Sequence, residues 1–232
     1  MTSPVSAPTI EIDIASDIVC PWCVIGWKQL DRAIKQTGIA AQVRWHPFEL
    51  NPGMGPEGQN IREHVAEKYG STPEDSAKAR AHIAALGDQL GVTFAFDENS
   101  RIYNTFDAHR LLHWAGTQGL GHQLKLALFT AYFTDRRNVS DRAVLVDVAK
   151  AVGFDAADVE KVLADGLFAE EVRKGEQFWH ENGVSGVPAM VFQRKHLVTG
   201  AQGEDRYADI LRQVAAQIAA QIAAEPATKP AT

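Results

Sequence analysis

Cysteine is almost missing from this chain: two residues out of 232, at positions 20 and 23. Two cysteines so close together cannot form a disulfide framework. Bridging them closes so short a loop that little unfolded-state entropy is removed. A cytosolic protein gains little from such a staple, because its compartment keeps thiols reduced. Long apolar runs are missing too. No segment approaches the ~18 apolar residues of a membrane helix, and the opening MTSPVSAPTIEIDIASD has neither the basic start nor the apolar stretch of a secretory signal. Clustered positive charge is the third absence. The formal net charge is -6 and the basic residues are scattered, so no electrostatic attraction draws the chain to nucleic acid or anionic membrane. These absences point to a cytoplasmic protein that binds neither.

What is present is an ordinary globular composition, 45% hydrophobic, enough for one sizeable core or for one domain inserted in another. Residues 1–8, rich in Pro, Ser and Thr, read as a loose arm. Ile10, Ile12 and Ile14 alternate with Glu11 and Asp13, a period-two strand signal. After Pro21, well placed for a first helical position, Cys23, Trp27, Leu30 and Ile34 share a stripe opposite Lys28, Asp31 and Lys35. This is an amphipathic helix ending near Gly38. Residues 41–48 read as a second strand. From the loop at 51–60 to about 182, helix signals dominate: Asn60 and Thr72 as starts, Gly91 as a stop, then helical stretches over 104–115, 121–134, 140–152 and 156–182, with Ser140 and Asp155 as caps. Strands return at 188–193 and 196–200, and a last helix spans about 204–224.

The sheet is thus split in sequence but must be whole in space. The expected class is α/β. One domain comprises 9–50 and 183–224, with a helix at about 166–182 leading back into it. A helical insertion spans 59–165, and a disordered tail 225–232.

Dithiol–disulfide exchange needs a thiolate and a second thiol within reach. Cys20 precedes a helix, whose free N–H groups and positive dipole end favour an anion. Cys20 is therefore expected to ionise below the free-thiol value and attack, and Cys23, deeper on the apolar stripe, to resolve. The bland alternatives are a buried reduced pair and half of a zinc site. The second lacks a further CxxC and closely spaced histidines.

SDIVCPWCVIGWKQLDRAI, residues 16 to 34, resembles the active-site region of DsbA-type oxidoreductases, in particular their cytoplasmic FrnE branch. HPFELNP (46–52), NTFDAHRLLHWA (104–115) and GVSGVPAMVF (183–192) extend the resemblance over nearly the whole chain. It implies a thioredoxin fold with an inserted all-helical domain and protein or small-molecule thiols and disulfides as partners. It also implies Pro188 as a cis-proline beside the cysteine pair, and Val187 as the residue whose backbone pairs with bound substrate. Pro21 and Trp22, between the cysteines, complete the substrate-facing set. No cofactor beyond a redox-active Cys20–Cys23 disulfide and no metal is expected, with glutathione as a candidate co-substrate. Oligomeric state, a homodimer included, is left open. Where the periplasmic oxidants carry histidine between the cysteines this chain has Trp22, which implies a less oxidising pair.

Asp17, three residues before Cys20, is a candidate proton relay, weighed against a solvated loop acid or helix cap. His109 and His113 could share a helix face and bind metal, but lack an accompanying carboxylate motif. Asp107 and Arg110 read as a surface or interdomain pair. Trp22 either offers an apolar contact to clients or only shapes the redox turn. Two other functions compete: a glutathione-dependent 2-hydroxychromene-2-carboxylate isomerase or kappa-type glutathione transferase, whose relatives carry serine where Cys20 stands, and a non-catalytic client-binding chaperone module.

Overall fold

Ile10, Ile12 and Ile14 are each fully buried, while Glu11 and Asp13 between them are half-buried. The β-branched alternation makes β1 (Ile10–Ser16) the central strand. The computed structural model describes residues 9–224, so the expected loose arm and disordered tail lie outside the described residues. After β1 come α1 (Pro21–Thr37), β2 (Ala41–Pro47), a two-residue strand β3 (Gln59–Asn60), α2 (Ile61–Tyr69), α3 (Pro73–Leu90) and its strand partner β4 (Arg101–Ile102). Then follow α4 (Phe106–Thr117), α5 (Gly121–Phe129), a π-helical stretch Thr130–Thr134, α6 (Arg142–Val152), α7 (Ala156–Ala164) and α8 (Ala169–Glu181). The chain closes with β5 (Ala189–Phe192), β6 (His196–Thr199) and α9 (Glu204–Ala224).

The main sheet runs β2-β1-β5-β6. β1 and β2 are parallel, and β1 pairs antiparallel with β5 through Ala15↔Ala189 and Ile14↔Met190. Strands from the two ends of the sequence thus lie side by side in one mixed sheet, with helices between them in sequence. This is an α/β thioredoxin fold. One face of the sheet is covered by α1 and α9, whose Trp27, Leu30, Tyr207 and Leu211 bury the isoleucines of β1. The other carries Trp179 of α8 against Phe48 and Ala189. A third cluster starts at Ile18, passes through Cys20 and Cys23, and continues into Leu111, Leu124, Leu128 and Phe133 of the intervening helices. Those helices therefore pack on the cysteine end of the sheet, not on its far edge.

Three helix expectations need correction. The pattern over 156–182 is two helices, α7 and α8, broken at Asp165–Phe168, where Gly166 and Phe168 both have positive φ. Arg110 explains the break. It is buried, and its guanidinium donates to the Val162, Leu163 and Leu167 carbonyls at 2.8, 3.1 and 2.9 Å. Val162 and Leu163 belong to the last turn of α7, whose carbonyls lack helical partners, and Leu167, whose amide also donates to the Val162 carbonyl at 3.2 Å, belongs to the break itself. The pairing of Arg110 with Asp107 is therefore only part of its role. The pattern over 121–134 gives way to π-helix at Thr130, which lets the consecutive Ala131, Tyr132 and Phe133 all be buried. Finally, α6 is capped by Asp141, whose carboxylate accepts from the Ala143 amide at 2.8 Å. Ser140 Oγ instead donates to Pro56 O at 3.1 Å. Asp141→Ala is expected to lower stability by about 1 kcal/mol in urea unfolding; an unchanged midpoint would remove the cap from this account.

Candidate active site

The turn Asp17–Val19 carries the chain from the end of β1 into α1. Cys20 is the N-cap, with its amide on the Asp17 carbonyl (3.3 Å), and Pro21 occupies the first helical turn. One turn on, the Cys23 amide donates to the Cys20 carbonyl at 3.1 Å. The two sulfurs are close enough for each to shift the other's ionisation. Cys23 is fully buried and Cys20 is 3% exposed, whereas Trp22 between them is 38% exposed and lies 6.0 Å, ring to ring, from His82 of α3. Cys20 Sγ lies 3.5 Å from the Val187 carbonyl oxygen, and the Val187–Pro188 bond is cis. The Pro188 ring in turn lies against α1. A Cβ at Gly26 would sit 3.2 Å from Pro188 Cγ, so glycine permits this approach of helix and loop. Cys20, Pro21, Trp22, Val187 and Pro188 are thus brought together.

Asp17 is not a solvated loop acid; it is 1% exposed. One carboxylate oxygen accepts the Leu50 amide at 2.8 Å, and the other is 3.4 Å from His109 Nε2 of α4, itself buried. Burial alone would raise the Asp17 carboxyl. His109, the Leu50 amide and the Thr105 hydroxyl outweigh that and hold it below the ordinary carboxylate range. His109 therefore serves Asp17, and His113 packs its ring on Phe168, so the histidine pair does not share one task.

Lys125, which sequence reasoning passed over, is a second buried charge beside the cysteines. It is 1% exposed, donates to Ser16 O at 3.4 Å, and lies over the Phe129 and Trp45 rings at 4.9 and 5.4 Å. Burial pulls its pKa down to about 8, against the attraction of Cys23, Asp17 and Cys20. A trace existed in the sequence: Lys125 stands on the same helical stripe as Leu128 and Phe129, where a lysine is out of place.

These neighbours revise the expected ionisation order. Cys20 is pushed well above the ordinary thiol value, first because its S–H hydrogen-bonds to Cys23, then by burial and the charges of Cys23 and Asp17. Burial opposes ionisation of Cys23 as well, but donation from the Cys20 thiol, the Lys125 ammonium and Ser16 prevail and hold it below that value. The helix opening stabilises Cys20 less than its position suggested, because Pro21 brings no N–H and Cys20 Sγ makes no capping bond with the first turn. The anion of the pair is centred on Cys23.

Residues 11–212 match the model of the DSBA-like thioredoxin domain. The chain belongs to this family. A probable DsbA oxidoreductase from Streptomyces coelicolor is 32% identical, with a TM-score of 0.82 over 88% of this chain and 89% of that one. YwbO of Bacillus subtilis (strain 168) is 27% identical over 85% of this chain and 93% of its own length. The cytosolic disulfide reductase DsbM from Pseudomonas aeruginosa, solved with GSH, shares the fold: 18% identity and a TM-score of 0.57 over 92% and 99% of the two chains. This DSBA-like chain has no helix, among the described residues, long and apolar enough to cross a membrane.

Proposed function

We propose that this DSBA-like protein catalyses dithiol–disulfide exchange through Cys20 and Cys23, in the cytoplasm, on protein or small-molecule thiols and disulfides. It needs no bound cofactor, and glutathione is a co-substrate. The observation that carries this is the asymmetry of the pair: Cys20 lines a cavity, while Cys23 is sealed behind it beside an ammonium group. Access selects Cys20 as the attacking sulfur, and charge selects Cys23 as its proton acceptor. Cys20 passes its proton to the neighbouring Cys23 and attacks one sulfur of the substrate disulfide, and the first thiolate leaves. Cys23 then gives up that proton and attacks Cys20 Sγ, and the second substrate thiol leaves. Two electrons pass to the substrate, and the protein is left with a Cys20–Cys23 disulfide. Asp17, ionised and within charge range of the sulfurs, is the proposed relay for the proton of Cys23. Trp22 and the main chain at Val187 and Pro188 receive the substrate.

Cys20 stands where the isomerase and transferase relatives carry serine, which favours exchange over their chemistry. The GSH bound to DsbM supports glutathione as the small thiol, and the shortage of cysteine suits a reducing compartment.

The test is a redox titration in glutathione buffers, with alkylation and mass measurement. A Cys20 thiolate that the fold does not favour leaves the dithiol form without the stabilisation that makes DsbA, at about -120 mV, a strong oxidant. The expected potential is below about -180 mV, on the reducing side of protein disulfide isomerase. A value near -120 mV would reject the ionisation order, and a pair that never forms a disulfide would reject exchange.

A further inference from the structure

The cavity in front of Cys20 narrows the substrate class. Its volume is about 490 Å³, inside the roughly 300–1,000 Å³ of small-ligand pockets. One wall is Cys20, Trp22 and Val187. Much of the remaining lining comes from α2 and α3, Val65 and Ile83 among it. Cys20 does not stand proud of the surface, as a sulfur meeting disulfides on bulky proteins would. It is 3% exposed and reached through this cavity.

The lining is mostly apolar, with one cation of note. Arg80 of α3 is half-buried, donates to Ser76 Oγ at 2.6 Å, and makes no ion pair with a carboxylate among the described residues. The one acid on the lining, Asp75, already accepts from the Thr72 hydroxyl at 2.8 Å at the start of the same helix. Burial and then the like charge of Arg62 pull the Arg80 guanidinium below its ordinary pKa. An arginine held in a partly dry wall, near a second arginine and without an acid, gains most from a carboxylate entering with the ligand.

We propose that the substrate of this site is a small-molecule thiol or disulfide with an apolar body and an acidic group. The body fills the space between Trp22 and Ile83, the carboxylate meets Arg80, and the sulfur meets Cys20. This rests on the exchange reading above. Cys20 Sγ forms a bond to the near sulfur of the ligand disulfide, whose S–S bond breaks, and the far half leaves as thiolate. Attack by Cys23 then releases the near half. The protein dithiol supplies both electrons, so one turnover needs no other reductant.

The experiment is single-turnover exchange by the full-length, pre-reduced protein with two aromatic disulfides, the dianionic dithiobis(nitrobenzoate) and the neutral dithiodipyridine, and with insulin. Arg80→Gln is expected to slow the anionic reagent about tenfold, the scale of one charge-assisted hydrogen bond, and to change the neutral reagent less than about twofold. Arg80→Lys, which keeps the charge, is expected to recover part of the loss, separating recognition from misfolding. Equal effects on both reagents, or none, would overturn the proposal while leaving exchange intact. So would insulin disulfides reacting faster than the anionic reagent, which would assign the cavity to polypeptide clients. Failure of the wild-type protein to react with either small disulfide would overturn the exchange reading itself.

Discussion

Cys20→Ser is expected to abolish exchange, by roughly a thousandfold or more, on the scale seen when a nucleophile is removed, while Cys23→Ser is expected to stop after the first step. The two sulfurs differ in reach. Cys20 meets the cavity and Cys23 is fully buried behind it. With Cys23 as serine, Cys20 can still attack a disulfide, and the mixed disulfide it forms has no internal thiol to release it. Mass spectrometry of the Cys23→Ser protein after incubation with glutathione disulfide should show one added glutathione, and Cys20→Ser none. Accumulation on Cys23 in the Cys20→Ser protein would reverse the assigned roles. A secondary effect follows from the ionisation order: Cys23→Ser removes the proton acceptor, so its first step should also slow at neutral pH.

Lys125→Met is expected to make the oxidised protein more stable and the reduced protein slower. Lys125 titrates at about 8 in the fold, against an ordinary 10.5. Its charged form is disfavoured by folding. Below pH 8 the lysine is protonated in both the folded and unfolded states, and the full penalty applies. Between about 8 and 10.5 the unfolded chain binds more protons than the folded one, so stability rises with pH. A shift of that size corresponds to roughly 3 kcal/mol at about 1.4 kcal/mol per unit, which sets the scale of what methionine recovers at pH 7. Urea unfolding of the oxidised form at pH 7 and pH 10 should show a gain for the variant at pH 7 that shrinks at pH 10. Loss of the ammonium should also raise the Cys23 pKa, and each unit is worth about tenfold in thiolate at neutral pH. Iodoacetamide alkylation against pH of the accessible Cys20, whose proton Cys23 accepts, would register that shift. A variant that is less stable and alkylates normally would show that Lys125 is neither strained nor coupled to the sulfurs.

The parts of this molecule written locally were legible in its sequence. Alternation at Ile10, Ile12 and Ile14 gave β1, the stripe from Cys23 to Ile34 gave α1, and Thr72 with Pro73 opened α3 where expected. The candidate site was legible as far as the cysteines and the loop before Pro188. It stopped there because electrostatics is set by residues distant in the chain. Nothing near Cys20 announces that Lys125 lies beside Cys23, or that His109 meets Asp17. The helix-start argument for a Cys20 thiolate was sound as local physics and was outweighed by those partners. The break between α7 and α8 showed in the sequence only as the start of a helix at about 166–182, and its cause was hidden for the same reason, since Arg110 that caps it belongs to α4.

The pairing of β1 with β5, Ala15 beside Ala189, bears on how the protein is made. Cys20 and Cys23 leave the ribosome early, with neither Lys125 behind them nor Val187 in front. Until the last strands are synthesised they are two ordinary thiols on an unfinished chain, and long-range strand pairing of this kind is slow to form. The reactive pair comes into being only when the end of the polypeptide folds back onto its beginning, so a truncated product would carry the motif without its chemistry.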